Sequence, residues 1–345
     1  MLLGIRRRHR IIAKESGPFR RCASTTAVLV LSAIGSEPAR AQWGAWQADS
    51  LLASGQVAAA ESSYYATSSS NPRNAAARAA LGRYLAARGA LRIGAVLLEE
   101  ARLFGGDTTM IARALVPIYR SLGDWRSLAV LPKSPLSLAE GKRVRWLVAR
   151  QPVLEFPDSI ATVAYRPLGD GTGLGAVSVR VDDEPVDAVI DPRVTGLVLR
   201  GRAARRKPGV HMFGSDSSGV VAVANELHIG GVTLSNVPTR IDTTTSSPRV
   251  RSGAKRRDVA SLIGLDVLRA LAPTFDAMDS TLILRRTGQI AQATPGTRIP
   301  ILLDENGLRL LVNGHWDTAA SHRTALMLAT RRWTLDMRRG EAVLQ

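Results

Sequence analysis

The sequence predicts a multidomain α-then-β chain, with helices first, a β lobe second and a shorter β segment last. Three observations carry that reading. From Gln42 to about Arg150 the chain is rich in Ala, Leu and Arg at helical spacing, with almost no β-branched alternation. Between Pro152 and Pro167 it changes to Val- and Thr-rich runs bounded by turn residues. After Thr294-Pro-Gly296 a strand–turn–strand pattern begins a second time. The expected segments are 1–41, 42–150, 151–290 and 297–345.

The first segment reads as a secretory signal peptide and not as fold. Arg6, Arg7, Arg8, Arg10, Lys14, Arg20 and Arg21 form a long basic region. An apolar run from Ala27 to Ile34 follows, then Ala39-Arg-Ala41, an A-x-A cleavage signal before Gln42. The run is too short to span a bilayer comfortably. Export to the periplasm or the extracellular space is expected, with an uncleaved N-terminal anchor as the alternative. Cleavage would remove Cys22, the single cysteine, leaving neither a disulfide nor a thiol nucleophile. The segment holds eight Lys/Arg and two Asp/Glu, so its loss would lower the net charge from +17 to +11. The remaining excess is scattered arginine, denser at 202–207 and 249–257. Such charge suits an anionic envelope surface or a merely solvated face. Few aromatics interleave with it and no nucleic-acid motif occurs, which argues against nucleic acid as a partner.

In the helical segment, Gly55, Gly89 and Gly123 are 34 residues apart, each between two amphipathic runs. Leu51, Leu85 and Tyr119 share one position of the first helix of each unit, and Ala60 and Gly94 share a small position of the second. Two helices per 34 residues with Gly at the intervening turn resembles the tetratricopeptide repeat, with plain helical hairpins as the alternative. Pro132 and Pro135 should cut the last second helix short. Stacked hairpins imply binding through a concave face, or else support for the next domain. Trp43, Trp46, Tyr64 and Tyr65 could line such a groove or fill a core.

In the β lobe, Leu174 to Val181 and Val186 to Ile190 read as strands around an Asp182-Asp-Glu-Pro185 turn. Between two apolar runs, 188–190 and 196–199, stands one carboxylate, Asp191. A charge at the end of a buried-type strand must be solvated, paired or used. Asp191 is therefore either an ordinary loop aspartate or a catalytic carboxylate on a rigid sheet. Gly214-Ser-Asp-Ser-Ser-Gly219 reads as a mobile polar loop and matches no serine-hydrolase motif. His211, His228, His315 and His322 have neither triad context nor metal spacing, so neither a metal nor a cofactor is expected. Asn225 to Pro238 reads as a hairpin, Leu262-Ile-Gly264 precedes a short apolar segment, and Pro273 to Leu284 reads as a closing hairpin.

An Asp loop, a hairpin, then two apolar residues and Gly before a short helix resembles one lobe of a retropepsin-like aspartic peptidase. That family's loop reads Asp-Thr-Gly-Ala-Ser, and Asp191-Pro-Arg-Val-Thr195 stands in its place. In the last segment, strands at 299–303 and 308–312 lead to Asp317-Thr-Ala-Ala-Ser321, the same loop with its Gly changed to Ala319. Ala325 to Ala329 then resembles the following apolar segment and helix. No second flap and no second apolar-apolar-Gly element precede Gln345. The resemblance implies an acid-protease β barrel, a partial second lobe, and Asp191 and Asp317 as a dyad. Such a pair shares one proton and activates a water for attack on a peptide carbonyl. In the family, the loop Thr hydroxyl bonds across to the opposite lobe, and the loop Gly lets backbone N–H groups approach the carboxylate. Pro192 removes both that hydroxyl and an N–H. Arg193 sets a long cation beside the carboxylate, which opposes proton sharing. Thr195 keeps an outer hydroxyl, and Thr318, Ala319 and Ser321 form the milder variant of the loop.

Three functions follow. One is an exported aspartic endopeptidase acting on polypeptides, weak or inactive because of the Asp-Pro-Arg loop. A second is a non-catalytic peptide- or protein-binding protein, and a third is a fragment of a longer active peptidase. Two chains could also pair as a homodimer, as single-lobe retropepsins do. The enzyme needs Asp191 and Asp317 within reach of one water. The binding protein predicts Arg193 folded over Asp191.

Overall fold

A computed structural model describes residues 37–156, 158–206, 209–242, 261–286, 295–304 and 307–345. Apart from Glu37 to Ala41, which already belong to the first helix, the expected signal peptide lies outside the described residues. Seven helices precede the first strand: α1 (Glu37–Ala53), α2 (Val57–Ser70), α3 (Ala75–Ala87), α4 (Leu91–Leu103), α5 (Thr108–Leu122), α6 (Trp125–Ala129) and α7 (Leu138–Ala149). Gly55, Gly89 and Gly123 stand at φ +79°, +98° and +67° in the turns α1–α2, α3–α4 and α5–α6. That left-handed region is open to glycine at no steric cost, which explains why this residue recurs there. The third second-helix, α6, stops at Ala129, ahead of Pro132. Ser137 and Glu140 then form a reciprocal capping box that starts α7.

Tyr64 is buried and stacks on Tyr84 at 4.7 Å, so it fills a core, whereas Trp46 faces outward. Among the described residues, no helix is long and apolar enough to cross a membrane.

The β part begins with β1 (Val153–Glu155), β2 (Ile160–Pro167), β3 (Gly175–Val181), β4 (Glu184–Ile190) and β5 (Leu197–Leu199). A short helix α8 (Gly201–Arg206) leads to β6 (Val210–Asp216), β7 (Gly219–Ile229) and β8 (Val232–Ile241). Then come β9 (Ser261–Ile263), α9 (Leu265–Leu268), β10 (Thr274–Asp276) and β11 (Thr281–Arg285). The order β3–β4–β9–β5–β8–β7 returns to β3 through Arg180↔His228 and Val181↔Leu227, closing a six-stranded barrel. Alternation explains the inside: Val177, Val179 and Val181 of β3 point into the core while Ser178 and Arg180 do not. The Asp182-Asp183 pair turns β3 into β4 at positive φ, as turn chemistry predicts.

The last segment supplies β12 (Thr297–Asp304), β13 (Gly307–Val312), β14 (His315–Thr318), α10 (His322–Ala329), β15 (Arg332–Asp336) and β16 (Glu341–Leu344). It does more than repeat the Asp loop. β15 pairs with β10 in a register that sets Thr274 opposite Thr334, whose hydroxyls are 2.8 Å apart. Asp276 Oδ1 accepts the N–H groups of Met278 and Asp279, and Asp336 Oδ1 accepts those of Arg338 and Arg339, all at 3.1 Å. The hairpins β10–β11 and β15–β16 are thus two copies of one Thr-x-Asp turn, related about the Thr274–Thr334 pair. Phe275 and Trp333 stack at 4.3 Å across the seam.

The helices rest on this β part through their turns. A Cβ on Gly55 would run into Gly314 O of the β13–β14 turn, and one on Gly89 into Met337 O. Trp316 Nε1 donates to Leu52 O at 2.5 Å, and Arg88 donates to Ile301 O and Gly340 O. Farther along, α7 clamps the β6–β7 hairpin. Trp146 stacks on His211 at 5.4 Å and meets Phe213 edge-on. Asp216 pairs with Arg240 and accepts from Ser137 Oγ, the cap of α7. The Gly/Ser stretch expected to be a mobile loop is therefore a pinned turn, because its one carboxylate finds a cation and a helix cap.

Candidate functional site

Asp191 lies just past the end of β4, and its backbone N–H donates to Ile263 O of the parallel neighbour β9. Gly264 N–H donates to Gly196 O at 2.8 Å, and both oxygens of Asp266 accept from Gly196 N–H at 2.9 Å. The 191–196 loop is thus fastened at both ends to the apolar-apolar-Gly element. Burial pushes the Asp266 carboxyl above its ordinary value, against the pull of its backbone hydrogen bonds.

The Asp191 residue is 4% exposed. Its Oδ1 accepts from Arg193 Nε at 2.8 Å and from Arg193 backbone N–H at 2.9 Å, while Oδ2 accepts from Arg193 Nη2 at 2.8 Å. This is the two-toothed guanidinium–carboxylate geometry, the strongest common form of such a pair. The bonds to Asp191 push the guanidinium above its ordinary value, opposed by its own partial burial. Nη2 also reaches Thr172 O at 3.1 Å. Pro192 is buried, and Thr195, expected to keep an outer hydroxyl donor, is exposed and makes no hydrogen bond to this carboxylate. Arg193 takes that role instead, because its backbone and side chain both face the aspartate two residues before it.

Asp317 sits on β14 opposite Leu310 of β13. Ser321 Oγ donates to its Oδ2 at 2.6 Å, and Thr324 Oγ1 donates to the same oxygen at 2.7 Å. Ser321 also caps α10 by accepting from Thr324 N–H. Desolvation raises the Asp317 carboxyl, but these hydroxyls, the Thr318 N–H and the nearby Arg323 outweigh it and hold it below the ordinary value. Ala319 is buried, its N–H donates to Leu308 O, and its φ is not positive, so the Gly-to-Ala change costs no left-handed strain.

The two loops approach a common wall. Gly307 at the start of β13 is pressed against Pro192 O and the Arg193 stem, where an added Cβ would meet them at 3.1 and 3.2 Å. Gly171 abuts Ala320 O while Thr172, next in chain, receives Arg193. Yet among the described residues no hydrogen bond joins Asp191 to Asp317, and the Thr318 hydroxyl makes none across to the first loop. Asp191 is bonded within its own loop, and Asp317 within its loop and the first turn of α10. Among the described residues there is also no cluster of three or more His, Cys, Asp or Glu side chains that could hold a metal ion.

No protein-family model matches the chain, and no curated protein matches it. Among solved structures, the crystal structure of a retropepsin-like aspartic protease from Rickettsia conorii is similar, with 15% identity and a TM-score of 0.26. The match covers 39% of this chain and 94% of that one.

Sequence reasoning did not find the β15–β16 turn, the Ser137–Glu140 capping box or the role of Thr324. The first two had visible signals, Thr274-Phe-Asp276 against Thr334-Leu-Asp336 and Ser-x-x-Glu before an apolar run. Thr324 had none, because its contact depends on one helical turn bringing it back over Asp317.

Proposed function

We propose that this chain is a retropepsin-like aspartic peptidase fold turned to holding polypeptide, with proteolysis weak or absent. The observation that carries the reading is the two-toothed Arg193–Asp191 pair. A catalytic dyad needs one carboxylate proton shared between two aspartates, with lone pairs left to bind the attacking water. In Asp191 both oxygens accept from a cation, and in Asp317 the bonded oxygen is committed to Ser321 and Thr324. The helical hairpins, read as tetratricopeptide-like units, then supply contact surface for a bound chain. Export to the cell envelope belongs to the same reading and rests on the Ala39-Arg-Ala41 signal.

The test is cleavage of an unstructured peptide between pH 3 and 7, together with its binding. The wild type should bind the peptide and release little or no product. Replacing Pro192 with Thr and Arg193 with Gly frees the carboxylate. Cleavage that then appears, and disappears when Asp317→Asn is added, supports a disabled dyad. Strong wild-type cleavage eliminated by Asp191→Asn would overturn the reading.

A further inference from the structure

The barrel closes where the end of β3 meets β7, through only Arg180↔His228 and Val181↔Leu227. Just past that short ladder, Asp182 extends the closure with a two-way bond to β7. Its backbone N–H donates to Glu226 O at 3.1 Å, and its Oδ1 accepts from Glu226 N–H at 2.9 Å. The other oxygen, Oδ2, is buried and has no hydrogen-bond partner among the described residues. Gly209 lies over it, since a Cβ there would come within 2.7 Å of that oxygen. Gly209 is itself held, its O accepting from Asn225 Nδ2 at 2.6 Å. A carboxylate oxygen shut off from water and from donors is costly when charged and much less so when protonated.

The charges around it push the same way. Asp183 and Glu184 follow Asp182 in the turn, and Glu226 faces it from β7. Arg180 on β3 pairs with Asp183, but the two side chains are 58% and 84% exposed, so water screens that pair. His228 Nε2 lies 3.1 Å from Glu226 Oε2 and its Nδ1 lies 3.0 Å from Thr233 Oγ1 on β8, so both ring nitrogens are engaged away from Asp182. Burial raises the Asp182 carboxyl above its ordinary value; the Glu226 and Asn225 N–H groups oppose this, and the Glu226 and Asp183 carboxylates add to it.

We propose that the β3–β7 closure is an acid-tightened clasp of the barrel, held while Asp182 carries a proton and loosened when it ionises. The sign follows from linkage. A carboxyl raised in the folded state contributes stability that is full below the unfolded value near ~3.9 and is lost as pH rises through the folded one. β7 also forms the inner strand of the β6–β7 hairpin, so loosening reaches the base of that hairpin. The inference does not depend on the peptidase reading, since it uses no residue of either aspartate loop.

Asp182→Asn tests it. The amide keeps an acceptor for Glu226 N–H, cannot ionise, and suits the positive φ of +45° at this position. Hydrogen exchange of the full chain at pH 5 and pH 7.5, corrected for intrinsic rates, reads the closure in segments 180–182 and 226–228. Wild-type protection there should fall at least ~3-fold at the higher pH, measured against the β10–β15 ladder, and should not fall in Asp182→Asn. Denaturant midpoints should show the Asn variant gaining on wild type as pH rises. His228→Gln should keep the wild-type fall. Flat wild-type protection, a fall that persists in Asp182→Asn, or one abolished by His228→Gln would each overturn the proposal.

Discussion

Replacing Gly89 with Ala should separate the helices from the β part, and Gly105 provides the control. Both glycines have left-handed φ, +98° and +86°. A Cβ costs about 1–2 kcal/mol in that region whatever surrounds it. At Gly105 nothing lies within 4 Å of the new atom, so that penalty is the whole effect. At Gly89 the new atom meets the backbone oxygen of Met337, which cannot rotate away. The α3–α4 turn must withdraw, taking with it Arg88 bonds of 2.7 and 2.6 Å to Ile301 O and Gly340 O. Arg269 also loses its acceptor, Gly89 O. Bonds from charged donors contribute about 1.5 kcal/mol each at the low end, so losing these three costs about 4.5 kcal/mol. The expected total is about 5–7 kcal/mol for Gly89→Ala against about 1–2 kcal/mol for Gly105→Ala. In a chain of this size that corresponds to melting shifts of about 7–9 °C and about 1–3 °C. Thermal melts followed by circular dichroism measure both. Equal shifts would refute the idea that the helical turns bear on the β part.

Acid should act on the clamped hairpin. Desolvation raises the Asp216 carboxyl, but Ser218 and Arg240 pull it well below the usual carboxylate range. A depressed folded value contributes stability that is present above the unfolded value near ~3.9 and is lost as pH falls through the folded one. Asp216→Asn should therefore be less stable than wild type at pH 7 and lose less on going to pH 3, as read from denaturant midpoints. An identical acid loss in both proteins would place the sensitivity elsewhere. For export, N-terminal sequencing of protein from the native host should find Gln42 first, and Met1 on the abundant species would contradict it.

Much of the architecture was legible because it is local. The 34-residue spacing marked the three turns, since each needs a left-handed residue and only Gly takes that φ freely. The strand ending at Ile190 and the turn at Asp182-Asp183 followed from alternation and turn chemistry. What the turns touch was not legible, because Gly55 meets Gly314 and Gly89 meets Met337 across more than two hundred residues of chain. The site divides in the same way. That Arg193 stands beside Asp191 is written in the sequence, but its choice of carboxylate over solvent depends on the stem resting against Gly307. That Thr195 is exposed and leaves Asp191 to Arg193 was not legible, because the loop pattern shows which residue types are present and not which of them reach the carboxylate.

The seam between β10 and β15 bears on what the last segment contributes to the rest of the chain. Were the last segment lost, β10 would present open backbone donors and acceptors, and Phe275 would lose the indole stacked on it. An uncovered strand edge of that kind recruits other chains and leads to aggregation. Selection for solubility alone would thus retain β15, and with it the Asp317 hairpin through which the chain must pass to reach it. A loop can in this way be retained without any chemistry of its own, carried along by the strand it delivers.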